Sequence, residues 1–85
     1  MNAINAAEIK FGLDTFGAMN VKVDGTPETA AQVIRDIVEQ AKLADALGLY
    51  GINIGEHHRD DFAVSAPDTV LAGIATVTKN LILGT

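Results

Sequence analysis

Apolar and polar positions along this chain switch repeatedly between a period of two and a period near three and a half. Residues 9–16 (IKFGLDTF) place Ile9, Phe11, Leu13 and Thr15 on one side and Lys10, Gly12, Asp14 and Phe16 on the other, which predicts a strand. A polar loop over 17–25 ends it. Thr26-Pro27-Glu28 predicts a helix start, because it offers a hydroxyl for a free N–H, a proline suited to the first position, and an acid for the positive helix end. From there to Gly48, Ala30, Ile34, Ile37, Ala41 and Ala44 recur at helical spacing, with Val33, Val38 and Leu47 widening the stripe. Gln32, Arg35, Asp36, Glu39, Gln40 and Lys42 cover the opposite side. Gly48 stops the helix, and a second strand runs over 49–55.

A second helix is predicted from Ser65-Ala66-Pro67-Asp68, where a hydroxyl is followed three residues later by an acid, a variant of the capping box. Val70, Leu71, Ile74, Ala75 and Val77 supply its apolar stripe. Lys79 suits the negative end, Asn80 can close the helix in a left-handed conformation, and residues 81–85 form a third strand. Strands alternating with amphipathic helices pair in parallel through crossovers, so the expected class is α/β, a parallel β-α-β-α-β unit.

An open dinucleotide-binding sheet needs Gly-x-Gly-x-x-Gly after its first strand, and Gly12, Gly17 and Gly25 do not fit that spacing. A β/α barrel instead gathers functional groups at the C-terminal ends of its strands. Parity within each strand sorts the candidates for such a site. Tyr50, Ile52 and Ile54 share the face expected under the helices, leaving Gly51, Asn53 and Gly55 on the other, and His57 joins them if the strand geometry continues. Gly12 and Asp14 on the first strand and Gly84 on the third belong to the same small, polar face. That face suits a cavity, and an open sheet facing solvent would carry the same pattern.

At 85 residues the chain makes one domain at most, and such a unit buries only about 60–65% of the surface its unfolded chain exposes. The absence of cysteine excludes thiol catalysis, thiolate zinc sites and disulfides. Six basic against eleven acidic residues give a net charge of −5, and the scattered basic side chains form no patch for a nucleic acid. No apolar run reaches the roughly 20 residues of a membrane span, and residues 1–8 do not read as a signal peptide, so the expected location is cytoplasmic.

The main chemical signal is His57-His58, flanked by Glu56 and Arg59. A histidine at the mouth of a parallel sheet is a natural general base, and from spacing alone a structural loop histidine fits as well. Neighbouring residues on an extended segment point to opposite sides, so Glu56, His57 and His58 cannot share one metal ion without a kink, and no metal site is expected. Asp14 is either a cavity residue or a partner for the loop after its strand. Arg59 with Asp60 and Asp61 reads as a solvated ion pair.

FGLDTFG at 11–17, VIRDIVEQAKLADALGL at 33–49, GEHHRDDFAVSAP at 55–67 and LAGIATVTKNLILGT at 71–85 together resemble the luciferase-like flavin-dependent monooxygenases over nearly the whole chain. The resemblance implies a (β/α)8 barrel that binds reduced FMN, or in some branches a deazaflavin, at its C-terminal mouth. Such enzymes oxidise small organic substrates with reduced flavin and oxygen. The first histidine of the Glu-His-His run, His57, occupies the position of a residue credited with acid/base work beside the flavin. Asp14, Asn53 and Gly84, on the polar face, become candidate cofactor contacts, while Glu56 falls on the opposite side.

A complete barrel takes about 250 residues, so residues 1–85 are expected to form a single truncated barrel segment comprising the first three strands. On that view the chain alone is inactive and binds flavin weakly. The competing expectation is a non-catalytic structural fragment that self-associates or aggregates through its exposed sheet edges.

Overall fold

The computed structural model describes residues 8–85. Strands β1 (Gly12–Thr15), β2 (Gly51–Ile54) and β3 (Ile82–Gly84) alternate with helices α1 (Ala30–Ala46) and α2 (Pro67–Ala75). The strands form one parallel sheet in the order β1-β2-β3, the class the alternating periods predict. Each strand is shorter than its apolar pattern, chiefly at its N-terminal end.

One face of the sheet is covered. Val33, Ile37, Ala41 and Ala44 of α1 and Val70, Leu71 and Ile74 of α2 pack with Ile52 and Ile54 of β2, and Val64 and Leu81 complete the core. Parity along β2 therefore holds where it matters, with Ile52 and Ile54 buried and Asn53 exposed between them. Tyr50 does not join them. It precedes the strand, remains exposed, and takes the Lys10 ammonium 4.6 Å from its ring centroid. Leu13 of β1 and Phe11 just before it (68% exposed) lie on the helix-facing parity at the sheet's outer edge, beyond the cover of α1.

The helix ends depart from expectation in physically informative ways. Thr26 turns back on Asp24, giving both its N–H and its hydroxyl to that carboxylate, while Glu28 N–H donates to the Asn20 carbonyl. The polar hairpin thus absorbs the predicted cap, and the helix begins three residues later, with Thr29 Oγ1 accepting from Gln32 N–H at 3.1 Å. At the other end Gly48 takes φ 77°, and the bonds Gly48 N–H to Asp45 C=O and Leu49 N–H to Ala44 C=O close the helix in a Schellman motif. Leu47 caps that turn and stays exposed.

Helix α2 starts with Pro67 at its first position, and Ala66 rather than Ser65 holds the cap position without a side-chain hydrogen bond. It ends at Ala75, so Val77 is not part of a buried stripe and is 45% exposed. Asn80 does not adopt a left-handed conformation, since no described non-glycine residue has positive φ. Asp45 takes over instead. Its carboxylate accepts N–H bonds from Lys79, Asn80 and Leu81, each at 2.9 Å, tying the end of α1 to the entry of β3.

Candidate functional site

Parallel pairing sets Asp14 beside Asn53 and Asn53 beside Gly84, so the three residues expected to share a polar face form one continuous row near the strands' C-terminal ends. The row depends on glycine. Asn53 Oδ1 lies over Gly84, where a Cβ would collide with it, and a Cβ on Gly51 would sit 2.6 Å from the Ile82 carbonyl. A concavity of about 230 Å³ opens at this end, lined by Asp14, Thr15, Phe16, Asn53, Ile54, Gly55 and Thr85. A second, of about 300 Å³, runs lower along the same face past Gly12, Gly51 and Ile82.

Beyond the strands, the loops after β1 and β2 are laced together. Ala63 N–H donates to the Gly17 carbonyl at 2.7 Å, Met19 N–H donates to the Asp61 carbonyl at 2.8 Å, and Ala18 and Phe62 form an antiparallel bridge. Gly17, at φ 64°, fits against the buried side chain of Val64, and its own N–H is held by Thr15 Oγ1. The sequence offered no periodic signal for this lacing, because it pairs single residues between two irregular segments.

His57 is half-buried inside the laced loops. Its backbone N–H donates to the Val64 carbonyl, and its ring stacks on Phe62 with centroids 4.1 Å apart and planes at 17°. Phe16 meets the same ring edge-on, at 5.2 Å and 82°. Nδ1 of His57 is enclosed with no hydrogen-bond partner among the described residues. His58 points elsewhere, exposed, with Nε2 2.9 Å from Glu56 Oε2, so adjacent residues diverge as an extended segment requires. Arg59 pairs with Asp61 at 2.8 Å in solvent.

His57 and Asn53, expected on one face, line different concavities. His57 lines a shallow concavity of about 480 Å³ with His58, Arg59, Asp60 and Phe62, while Phe16, which meets its ring, lines the Asp14–Asn53 concavity together with Gly55. Phe62, stacked on His57, is the residue of this candidate site that the sequence pattern did not single out. Its signal was an aromatic ring in the charged run RDDF, a position where a solvated loop has no use for one. Among the described residues no three His, Asp or Glu groups converge as a metal site, and no helix is long and apolar enough to cross a membrane.

The luciferase-like monooxygenase family profile matches residues 15–85, from the last residue of β1 through the paired loops, both helices and the other two strands. The chain belongs to the luciferase-like monooxygenases. An N-acetyl-S-alkylcysteine monooxygenase of Bacillus subtilis (strain 168) is 34% identical over 58 residues, 67% of this chain and 17% of that protein. The apo structure of MsnO8 superposes with a TM-score of 0.79 at 30% identity, covering 92% of this chain and 22% of that one. A type II Baeyer–Villiger monooxygenase of Pseudomonas putida, the oxygenating constituent of 3,6-diketocamphane monooxygenase solved with FMN, shares the fold. Its TM-score is 0.74 at 24% identity, over 87% of this chain and 19% of its own. The chain thus spans about a fifth of the length of each relative. Its β-α-β-α-β unit corresponds to the first three strands of a (β/α)8 barrel.

Proposed function

We propose that this chain supplies the opening strands of a flavin-dependent oxidoreductase, with Asp14, Asn53 and Gly84 facing the isoalloxazine ring of FMN and His57 exchanging a proton beside it. The observation that carries the reading is the row Asp14–Asn53–Gly84, which places a small polar surface at the C-terminal end of the sheet in a member of this family. The fit is good for a flat ring and poor for a phosphate. Glycines at 12, 51 and 84 keep side chains off the face, while no lysine or arginine lines either concavity along it. Phosphate-binding groups therefore have to come from further strands.

Reduced flavin, when bound, would supply the electrons for oxidation of a small organic substrate by oxygen. The chain's own residues would bind and orient. Asn53 offers an amide to the ring's polar edge, Asp14 a carboxylate beside it, and Gly84 the open backbone that lets a planar ligand approach. The FMN complex of the Pseudomonas putida neighbour supports a flavin as the ligand, and FMN is the one to test first. Residues 1–85 are read as one barrel segment rather than a self-sufficient enzyme.

Titration of FMN, oxidised and reduced, into the 85-residue chain and into a longer chain carrying the remaining strands tests this directly. The short chain should bind weakly or not at all, and the longer one tightly. A dissociation constant in the low micromolar range for the short chain, about −8 kcal/mol, would overturn the assignment of phosphate binding to other strands. Absence of binding by the longer chain would overturn the flavin reading itself.

The free edges of the sheet support a second proposal. Among the described residues β1 and β3 are each paired on one side only, and Leu13 and Ile82 on them and Phe11 just before β1 are exposed, so the isolated chain should self-associate.

A further inference from the structure

The histidine's surroundings say more about its chemistry than its place at the strand end does. Imidazole carries its single neutral proton on one ring nitrogen, and which one is decided by what the other can bond. Here Nδ1 is enclosed and has no partner among the described residues, while Phe62 covers a ring face, Phe16 meets the ring edge-on, and Gly55 lies so close that a Cβ there would be 3.1 Å from Cε1. A buried N–H without an acceptor is among the rarest arrangements in folded proteins, rarer than an acceptor left without a donor. We propose that Phe16 and Phe62 are positioning residues that enclose Nδ1 of His57 and hold the ring as its Nε2–H tautomer, so that it presents a hydrogen-bond donor to an oxygen atom of the ligand.

This rests on the reading that His57 serves the flavin site, and it changes what His57 does there. A ring held with its proton on Nε2 donates to a ligand oxygen and stabilises negative charge developing on it; it does not begin as a proton acceptor at that atom. Phe62 is suited to the task by its anchoring. The bridge from Ala18 to Phe62 and the flanking bonds, Ala63 to Gly17 and Met19 to Asp61, fix its backbone against the loop that carries Phe16. Both rings are thereby referenced to one rigid strap rather than to two independent loops. The Arg59 guanidinium, 5.9 Å from the Phe62 centroid, lies over that ring as well.

Long-range proton–nitrogen correlation spectra of the full 85-residue chain, labelled in histidine nitrogen and kept in mildly alkaline buffer, read the proton's position. His57 should show a pyrrole-type Nε2 and a pyridine-type Nδ1, with a tautomer ratio at least about fivefold above that of free histidine in the same buffer. Its ring protons should be shifted by the stacked Phe62. Phe62→Leu should bring the ratio back toward the free value and abolish the shift, and Phe62→Tyr should restore both. The wild-type spectrum and the tyrosine variant decide the matter even if the leucine variant loses its fold. A wild-type proton on Nδ1, a conformationally averaged ring, or a tyrosine variant resembling free histidine would overturn the proposal. No flavin enters this measurement, so its failure and the failure of the FMN titration are separate results.

Discussion

Gly17 is the point at which the backbone of the β1 loop and the core meet, and Gly17→Ala measures how tightly they do. Two penalties apply. At φ 64° an L-residue loses roughly 1–2 kcal/mol relative to glycine. The new methyl would also stand 2.8 Å from Val64 Cγ2 and 3.3 Å from Val64 Cβ, against a side chain that is 1% exposed and has nowhere to yield. Overpacking of that kind costs about 1–3 kcal/mol, for a combined loss of about 2–5 kcal/mol. A chain of 85 residues is worth only about 4–13 kcal/mol in all.

Gly25 and Gly48 provide the control within the same molecule. Both have positive φ, at 86° and 77°, and a Cβ at either meets nothing within 4 Å. Gly25→Ala and Gly48→Ala should therefore show the conformational penalty alone. Urea unfolding of a longer chain carrying the remaining strands, followed by circular dichroism, gives each loss from the shift in midpoint at constant slope. Gly17→Ala should exceed the other two by at least about 1 kcal/mol, and it should disturb the His57 ring signals, because Ala63 N–H hangs on the Gly17 carbonyl. Equal losses at the three glycines, within about 0.5 kcal/mol, would refute the close contact with Val64 and with it the rigidity assigned to the strap.

Asp45 holds three backbone N–H groups, chiefly those of Asn80 and Lys79, and these bonds keep its carboxyl below the ordinary value. The folded value being the lower one, its contribution is present above the ordinary carboxylate range and fades as pH falls through the depressed value; Asp45→Asn should flatten that part of the stability profile, and an unchanged profile would contradict the assignment. Sedimentation should show the isolated chain as assemblies rather than a compact monomer, and a stable monomer with sharp unfolding would count against the barrel-segment reading. In a longer chain with the complete site, His57→Ala should lower turnover by roughly 10²–10⁴-fold with little change in flavin affinity, while His58→Ala should leave turnover nearly intact; the reverse pattern would place the wrong histidine at the site.

What was legible in the sequence was what repeats. The class, the strand order of faces, the buried positions Ile37, Ala41, Ala44, Ile52 and Ile54, and the alignment of Asp14, Asn53 and Gly84 all follow from periods of two and three and a half sustained over a segment. The helix ends were misread because hydroxyls and acids near a start compete for several uses. Thr26 and Asp24 satisfy each other in a turn, which leaves Thr29 as cap. Asp45 was invisible for a different reason: its partners lie 34 to 36 residues away, and nothing local marks a surface acid as a long-range cap.

The same distinction bears on the site. Parity placed His57 on the side of Gly55, and there it is, but parity is a property of strands, and the strand has ended at Ile54. What sets the ring beyond that point is contact with Phe16 and Phe62, residues from two loops that no period connects. The sheet sets the Asp14–Asn53–Gly84 row through backbone register, with glycine required at 51 and 84. The histidine depends on side-chain packing across a two-loop strap, where a single change can release it. Substitutions in the strap should alter the setting of the His57 ring while the Asp14–Asn53–Gly84 row stays in place, so the two are separable by mutation.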